Sequence, residues 1–505
     1  MVFGARTARD SLGAAQRLIA ILRRFGWLVH PTKCTGTSEA VQAFRALGMW
    51  VDLATQTFAV PPDMVSRILD AATALATGPV LRPVRTVARL KGLLSATWLA
   101  TGIATRIRTR ALSAVVDSRP PAVGTSARAM RRSWASLVLL TAEALDEIRW
   151  WIGFLPDHNH APIRPRPFDA LVDGDIASDA SDVGIGAVLT TRHGDPAASS
   201  LLRALMARAP TGMSPASLAT YAQSGLEFAR PLPPDLIDGS STLRELFGIA
   251  EFVREVGPLL RGGRFRVFLD NLGCVFIMGG VVPAAAIGGL AWGEYVTGGS
   301  PCPALQRLAL QLFDAQLAGS FTLQAVWRPR EENVRADFLS RVAGMLLHSY
   351  RLRPSLFRWL DERWGPHTID RFASADTCQP LAPPYTGRFC SLFFHPEATW
   401  VDAYSVPWHG ENNWLFPPVP EIGRVVAHLL ATGAAGTIVV PYAPWAPWLP
   451  ALMRGRQWAP FVTGLIRLGS ARDCLHLPPD HARDFRGCEI IALRLSGRSS
   501  SRGPP

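Results

Sequence analysis

Ser178-Asp179-Ala180-Ser181-Asp182-Val183-Gly184-Ile185-Gly186-Ala187-Val188-Leu189 is the stretch that decides how the middle of this chain folds. An apolar-leaning run closes on Asp179. Gly184 and Gly186 then permit a tight turn, and Ala187-Val188-Leu189-Thr190 reads as a second strand. Taken alone, an Asp followed by Ser and Gly is ordinary turn chemistry. What changes its weight is the company it keeps downstream.

Three further carboxylates stand in comparable settings. Glu245 lies in Ser240-Ser241-Thr242-Leu243-Arg244-Glu245-Leu246, early in a helix that Ser240 or Ser241 can cap, with Leu246, Ile249, Phe252 and Val253 at helical spacing. Asp270 ends the strand Phe265-Arg266-Val267-Phe268-Leu269, and Asn271 follows it. Asp337 lies in Asn333-Val334-Arg335-Ala336-Asp337-Phe338-Leu339-Ser340-Arg341, on a helix that follows the strand Phe321–Trp327 and a Pro-Arg-Glu-Glu-Asn loop. Each alone reads as a solvated face or a turn. Asp, Glu, Asp, Asp on strand, helix, strand, helix is a set of hard oxygen ligands from separate elements. Such a set suits a pair of divalent cations roughly 4 Å apart, which activate water and steady a leaving oxygen in phosphodiester cleavage.

These motifs resemble the active site of a type-1 ribonuclease H domain, as carried by retroelements behind their reverse transcriptase. The resemblance implies an α/β fold, a ribonuclease H-like mixed sheet flanked by helices, over 173–347. It implies Asp179, Glu245, Asp270 and Asp337 as catalytic residues and ligands of two Mg²⁺ (or Mn²⁺) ions. Ser181, Asn271 and Asn333 would contact nucleic acid through backbone and 2′-hydroxyl groups. Two departures stand out. Inserts run from Thr191 to Gly239 and from Gly279 to Pro303, and the loop Trp327-Arg328-Pro329-Arg330-Glu331 lacks the His that often precedes the last Asp in this family.

Composition sets the bounds around this centre. The 505 residues suffice for two to four domains, and 48% hydrophobic against 18% charged residues argues against global disorder. A net charge of +12 favours a polyanionic partner. The basic residues are almost all Arg, with Lys33 and Lys91 the lysines, so GC-rich coding is a second source of that charge. Seven scattered cysteines without a CxxC pair fit reduced thiols rather than a disulfide frame or a zinc site. No stretch reads as a membrane span and the N-terminus is not a signal peptide, so the expectation is a cytoplasmic or nuclear protein that is not secreted.

Upstream, a helix over Leu12–Arg24 leads to Phe25-Gly26-Trp27 with Lys33, then to Phe44-Arg45-Ala46-Leu47-Gly48-Met49. This resembles the tail of a reverse-transcriptase palm, with Lys33 near nucleic acid, over 1–60. A polymerase palm needs an Asp-Asp metal pair, and no such pair occurs in the chain, so polymerase activity is not expected. Residues 61–155 fit the thumb and connection of that family. Arg106, Arg108 and Arg110 begin an Arg-rich run that reads either as a solvated face or as a surface tracking phosphates. A Pro/His/Arg linker over 156–172 marks a boundary.

Downstream, 350–490 contains Ile369-Asp370-Arg371-Phe372-Ala373-Ser374 and Trp414-Leu415-Phe416-Pro417-Pro418-Val419, a helix near Ile422–Ala431 and a strand Gly436–Val440. The order resembles the region behind ribonuclease H in DIRS-like (tyrosine-recombinase) retrotransposons and a degenerate Dam-methyltransferase-like α/β domain. In that family an Asp or Asn precedes Pro-Pro and an aromatic follows it; Phe416 and Val419 supply neither the acceptor nor the stacking face. Residues 491–505 read as a disordered tail. The chain is thus expected to be a fragment of a DIRS-like polyprotein that hydrolyses the RNA strand of RNA–DNA hybrids. Its partners would be hybrid or double-stranded nucleic acid and other retroelement proteins, with no membrane. The alternatives are a non-catalytic nucleic-acid-binding relic and a degenerate adenine DNA methyltransferase.

Overall fold

The computed structural model describes residues 7–29, 39–46, 48–122, 126–162, 172–191, 225–280, 298–346, 350–442, 445–476 and 488–497. Lys33, most of both inserts and part of the 156–172 linker lie outside them. The chain divides into two compact units, residues 1–171 with 276–310, and residues 172–275 with 311–505.

The second unit is built on a five-stranded mixed sheet. Its strands are β1 (Gly174–Ala180), β2 (Gly184–Thr191), β3 (Leu226–Pro231), β4 (Arg264–Leu269) and β5 (Thr322–Trp327), in the order β5-β4-β1-β2-β3. β1, β2 and β3 pair antiparallel, while β4 runs parallel to both β1 and β5. Helix α1 (Ser241–Leu260) starts where the Ser240 hydroxyl accepts the Leu243 N–H, and it buries Leu246, Ile249, Phe252 and Val256. Helix α2 (Val334–Leu346) follows β5 after a single 3₁₀ turn at Arg330–Glu332.

The two helices cover opposite faces of the sheet. A methyl group added at Gly248 of α1 would meet the Ile185 side chain, whereas one added at Gly186 would meet α2 backbone, with Ser340 N at 2.5 Å and Ala336 O at 2.6 Å. Successive strand residues point to opposite faces, so Ile185 and Gly186 address different helices. This corrects the expected role of Gly184 and Gly186. The turn occupies Ser181–Val183, both glycines lie inside β2, and Gly186 is bare so that α2 can pack at backbone distance.

The same unit continues into a second five-stranded sheet. Strands β6 (Ile369–Asp370), β7 (Asn412–Leu415), β8 (Ala435–Tyr442), β9 (Val462–Ser470) and β10 (Glu489–Ser496) stand in the order β6-β7-β8-β10-β9. The first three are parallel, and β10 is antiparallel to both its neighbours. Helix α3 (Ile422–Ala431) packs Ile422, Val425, Val426 and Leu429 against one face. Phe393 inserts beside Val188, Ala229 and Leu339, so the first sheet and the C-terminal region share a core. The expected tail beginning at 491 is corrected here. Ile491, Ala492, Leu493 and Leu495 are buried in β10, an interior strand between β8 and β9, because an apolar run of that length is far more stable inside a sheet than in water.

The first unit combines an antiparallel meander (Ala43–Ala46, Met49–Asp52, Thr57–Ala59, completed by His160–Pro162) with helices. Helices Pro62–Thr77, Val84–Ser95, Arg110–Asp117 and Ala142–Phe154 bury Ile68, Leu90, Leu112 and Trp151. The Trp151 indole N–H donates to the Arg108 carbonyl at 2.7 Å. Among the described residues no helix is long and apolar enough to cross a membrane.

Candidate active site

Asp179 is the next-to-last residue of β1 and pairs in register with Gly186 of β2. Its side is therefore the one that α2 covers. The carboxylate is only 6% exposed and accepts a hydrogen bond from Ser340 Oγ at 2.7 Å. Burial pushes the Asp179 pKa up, and the charges of Asp270 and Asp337 add to that push, against the Ser340 hydrogen bond and Arg330.

Glu245 sits in the second turn of α1 and is 7% exposed. Burial raises its pKa to about 8, with Asp270 and then Asp179 contributing like-charge repulsion. Its Oε1 accepts a hydrogen bond from Asn271 Nδ2 at 3.3 Å, while Oε2 is buried and has no hydrogen-bond partner. Asp270 follows the last residue of β4, and its Oδ1 is likewise buried without a partner. The Asp270 carbonyl accepts the Trp327 indole N–H at 3.0 Å, which ties the ends of β4 and β5 together.

Asp337 is half-buried on the first turn of α2. Its Oδ1 accepts from Arg330 and from Arg341, each at 2.9 Å. Burial works to raise its pKa, but the two guanidinium groups outweigh it and hold the carboxyl below the usual range. Sequence reading missed both arginines. Arg341 was within reach, since it lies four residues beyond Asp337 on a helix, the spacing at which side chains meet. It missed Ser340 too, whose hydroxyl faces Asp179 only in the folded chain.

The polar residues expected to touch nucleic acid have structural partners. Asn333 is 2% exposed, and its Nδ2 donates to the Ser178 carbonyl at 2.9 Å, which braces the start of α2 against β1. The Ser181 hydroxyl accepts from the Val183 and Gly184 amides, each at 3.1 Å, and donates to the Ser340 carbonyl at 2.8 Å. Those bonds shape the β1–β2 turn. Asn271 caps the helix after β4 through the Cys274 amide and holds Glu245 with its other end. In the first unit Arg106 is exposed, Arg108 stacks over Trp150, and Arg110 donates to the Gly298 carbonyl at 2.6 Å.

Among the described residues no three His, Cys, Asp or Glu side chains stand in a ready-made metal-ligating arrangement. The donor chemistry nevertheless suits a hard cation. Two buried carboxylate oxygens, Glu245 Oε2 and Asp270 Oδ1, have no donor from elsewhere in the protein, and burial, neighbouring negative charge and a side-chain hydrogen bond between Glu245 and Asp270 together raise the Glu245 pKa. Orphaned anionic oxygens of this kind are costly unless a proton or a cation neutralises them.

No protein-family model matches the chain, and no curated protein matches it. Solved structures similar to it include the foamy viral protease-reverse transcriptase in complex with RNA/DNA hybrid, at 10% identity and a TM-score of 0.25, covering 64% of this chain. The chain spans about a third (34%) of that viral chain. RNase H1 from the halophilic archaeon Halobacterium salinarum NRC-1 aligns over 34% of this chain and 96% of its own, at 14% identity and a TM-score of 0.21. The N-terminal RNase H domain of a Mycobacterium tuberculosis protein aligns over 34% of this chain and 94% of its own, at 17% identity and a TM-score of 0.20.

Proposed function

We propose that the sheet of β1–β5 with α1 and α2 is a divalent-metal-dependent ribonuclease H that hydrolyses the RNA strand of RNA–DNA hybrids. One observation carries this. Asp270 pushes up the pKa of both Asp179 and Glu245, and Asp179 adds to the push on Glu245, so carboxylates from two strand ends and a helix stand within electrostatic reach of one another beside unpartnered carboxylate oxygens. Like charges are brought together at such cost chiefly where chemistry uses them. Asp179, Glu245 and Asp270 would hold Mg²⁺ or Mn²⁺, and Asp337, already shared between Arg330 and Arg341, is the fourth candidate ligand. The ions would activate water and stabilise the developing charge at phosphorus.

The protein's own part is positioning. Ser340 fixes the Asp179 carboxylate, Asn271 fixes Glu245, and Asn333 holds α2 to β1. Arg330 and Arg341 keep Asp337 ionised. We read the chain as related to the polyproteins of DIRS-like retroelements, with the first unit resembling the end of a palm, a thumb and a connection.

Cleavage of a labelled hybrid, with and without Mg²⁺ and beside Asp270→Asn, tests this. Expected is Mg²⁺-dependent cleavage that drops at least 100-fold in the variant, in line with loss of a group that acts in the transition state. Metal-independent cleavage, or a variant as active as the parent, would remove the basis for a nuclease. Methyl transfer is not proposed. Phe416, where an acceptor would be needed, is buried against Tyr350 with ring centroids 5.5 Å apart, and Val419 packs on the core around α3.

A further inference from the structure

In the first unit, helices Val84–Ser95, Trp98–Thr101, Ala104–Ile107 and Arg110–Asp117 line an open pocket of about 400 Å³. That lies within the roughly 300–1,000 Å³ range of small-ligand pockets. Its lining includes Trp98, Thr105, Arg106, Thr109, Arg110 and Ser113, and none of the described residues lining it is acidic. Trp98 is a large ring left 54% exposed.

The two arginines are four residues apart and repel each other. Arg110 Nε is buried with no partner, while its NH2 is anchored on the Gly298 carbonyl. The nearest carboxylate influence, Glu147, has both oxygens committed, accepting the Ala111 and Leu112 amides at 2.9 Å each. Burial and the Arg106 charge both disfavour the Arg110 cation. A bound anion would relieve both.

The hydroxyls point to more than a bare anion. Thr109 Oγ1 donates to the Thr105 carbonyl at 2.6 Å, and Ser113 Oγ donates to the Thr109 carbonyl at 2.8 Å. Each has one hydrogen, so toward the cavity these oxygens can only accept. The cavity thus offers guanidinium donors for an anionic end, acceptors for amino or hydroxyl groups, and an aromatic face. We propose that it binds one unpaired nucleotide, its phosphate on Arg106 and Arg110 and its base on Trp98. Base–aromatic stacking is tolerant of base identity, and arginine serves phosphate at such sites.

The proposal concerns the first unit alone and stands whether or not the second unit cuts hybrids. Calorimetric titration of the full chain with deoxyadenosine monophosphate, deoxyadenosine, inorganic phosphate and a 5′-phosphorylated DNA pentamer tests it. All four ligands lack the RNA strand of a hybrid, so no cleavage enters the readout. Saturable binding of the monophosphate, at least tenfold tighter than either half, is expected. Trp98→Ala should weaken the monophosphate tenfold or more while leaving phosphate unchanged, and Arg106→Gln should weaken both. Both positions are exposed, and circular dichroism verifies that the variants remain folded. A pentamer that binds tighter than the monophosphate identifies a strand end as the source; equal affinity identifies a free nucleotide. Either supports the site. Absence of binding at millimolar ligand, or binding that neither variant weakens, overturns it.

Discussion

Ser340 on α2 donates its hydroxyl hydrogen to Asp179 Oδ2 at the end of β1, 2.7 Å away and out of contact with water. The bond crosses from a helix to a strand 161 residues earlier in the chain. It favours the ionised form of a carboxylate that burial and two neighbouring acids push toward protonation. Ser340→Ala removes the donor and keeps the fold, so hybrid cleavage should fall about tenfold to 100-fold, the usual effect of losing a second-layer hydrogen bond to a metal ligand. Mg²⁺ titration of the rate checks it. A proportionate rise in the Mg²⁺ needed for half-maximal rate is expected, and an unchanged curve would show that Asp179 needs no such partner.

Gly186 sets the distance between α2 and β2. A methyl group there would lie 2.5 Å from Ser340 N and 2.6 Å from both Ala336 O and Leu339 Cβ, and backbone cannot swing aside as a long side chain can. Gly186→Ala should destabilise the second unit by about 1–3 kcal/mol, the range for overpacking a tight contact. Urea unfolding followed by fluorescence measures this. Gly257→Ala, where an added methyl meets nothing within 4 Å, is the matched control and should be neutral or slightly stabilising.

Glu147 does for the helix Arg110–Asp117 what a capping side chain does locally, but from another helix. Its two oxygens accept the Ala111 and Leu112 amides at 2.9 Å each, and the residue is buried. Glu147→Ala leaves two amides unsatisfied in the interior and should cost about 2–4 kcal/mol. Glu147→Gln keeps one acceptor and should cost clearly less. Thermal unfolding of the two variants side by side distinguishes lost hydrogen bonds from lost packing volume.

Asp370 gives the chain a pH-dependent stability. Complete burial raises its pKa to about 7, against the lowering effect of the Gln379 and Phe372 amides that its oxygens accept. In the unfolded chain the group titrates near pH ~3.9. Below that value both states hold the proton and no charge is buried. Between about 4 and 7 the unfolded chain releases the proton while the folded chain keeps it, so stability falls as pH rises, and the slope ends above 7. Asp370→Asn should therefore gain on the parent between pH 5 and pH 8 in urea midpoint. A constant difference across that interval would show that Asp370 ionises normally in the fold.

The sequence by itself determined the local elements. Alternation and helical spacing marked the strands and helices of the central region, a serine cap at Ser240 or Ser241 was legible, and Ile422–Ala431 was legible as an apolar helix, because those signals lie within a few residues of one another. The placing of four acids at element ends was legible in the same way. Only the tertiary structure decided what those acids face. It made Gly186 a contact surface rather than a turn, turned Asn333 inward as a brace, gave Asp337 to Arg330 and Arg341, and drew Ile491–Leu495 into the interior of a sheet. Each of these depends on a partner distant along the chain, or on how closely two backbones approach, and neither quantity is written in the spacing of neighbouring residues.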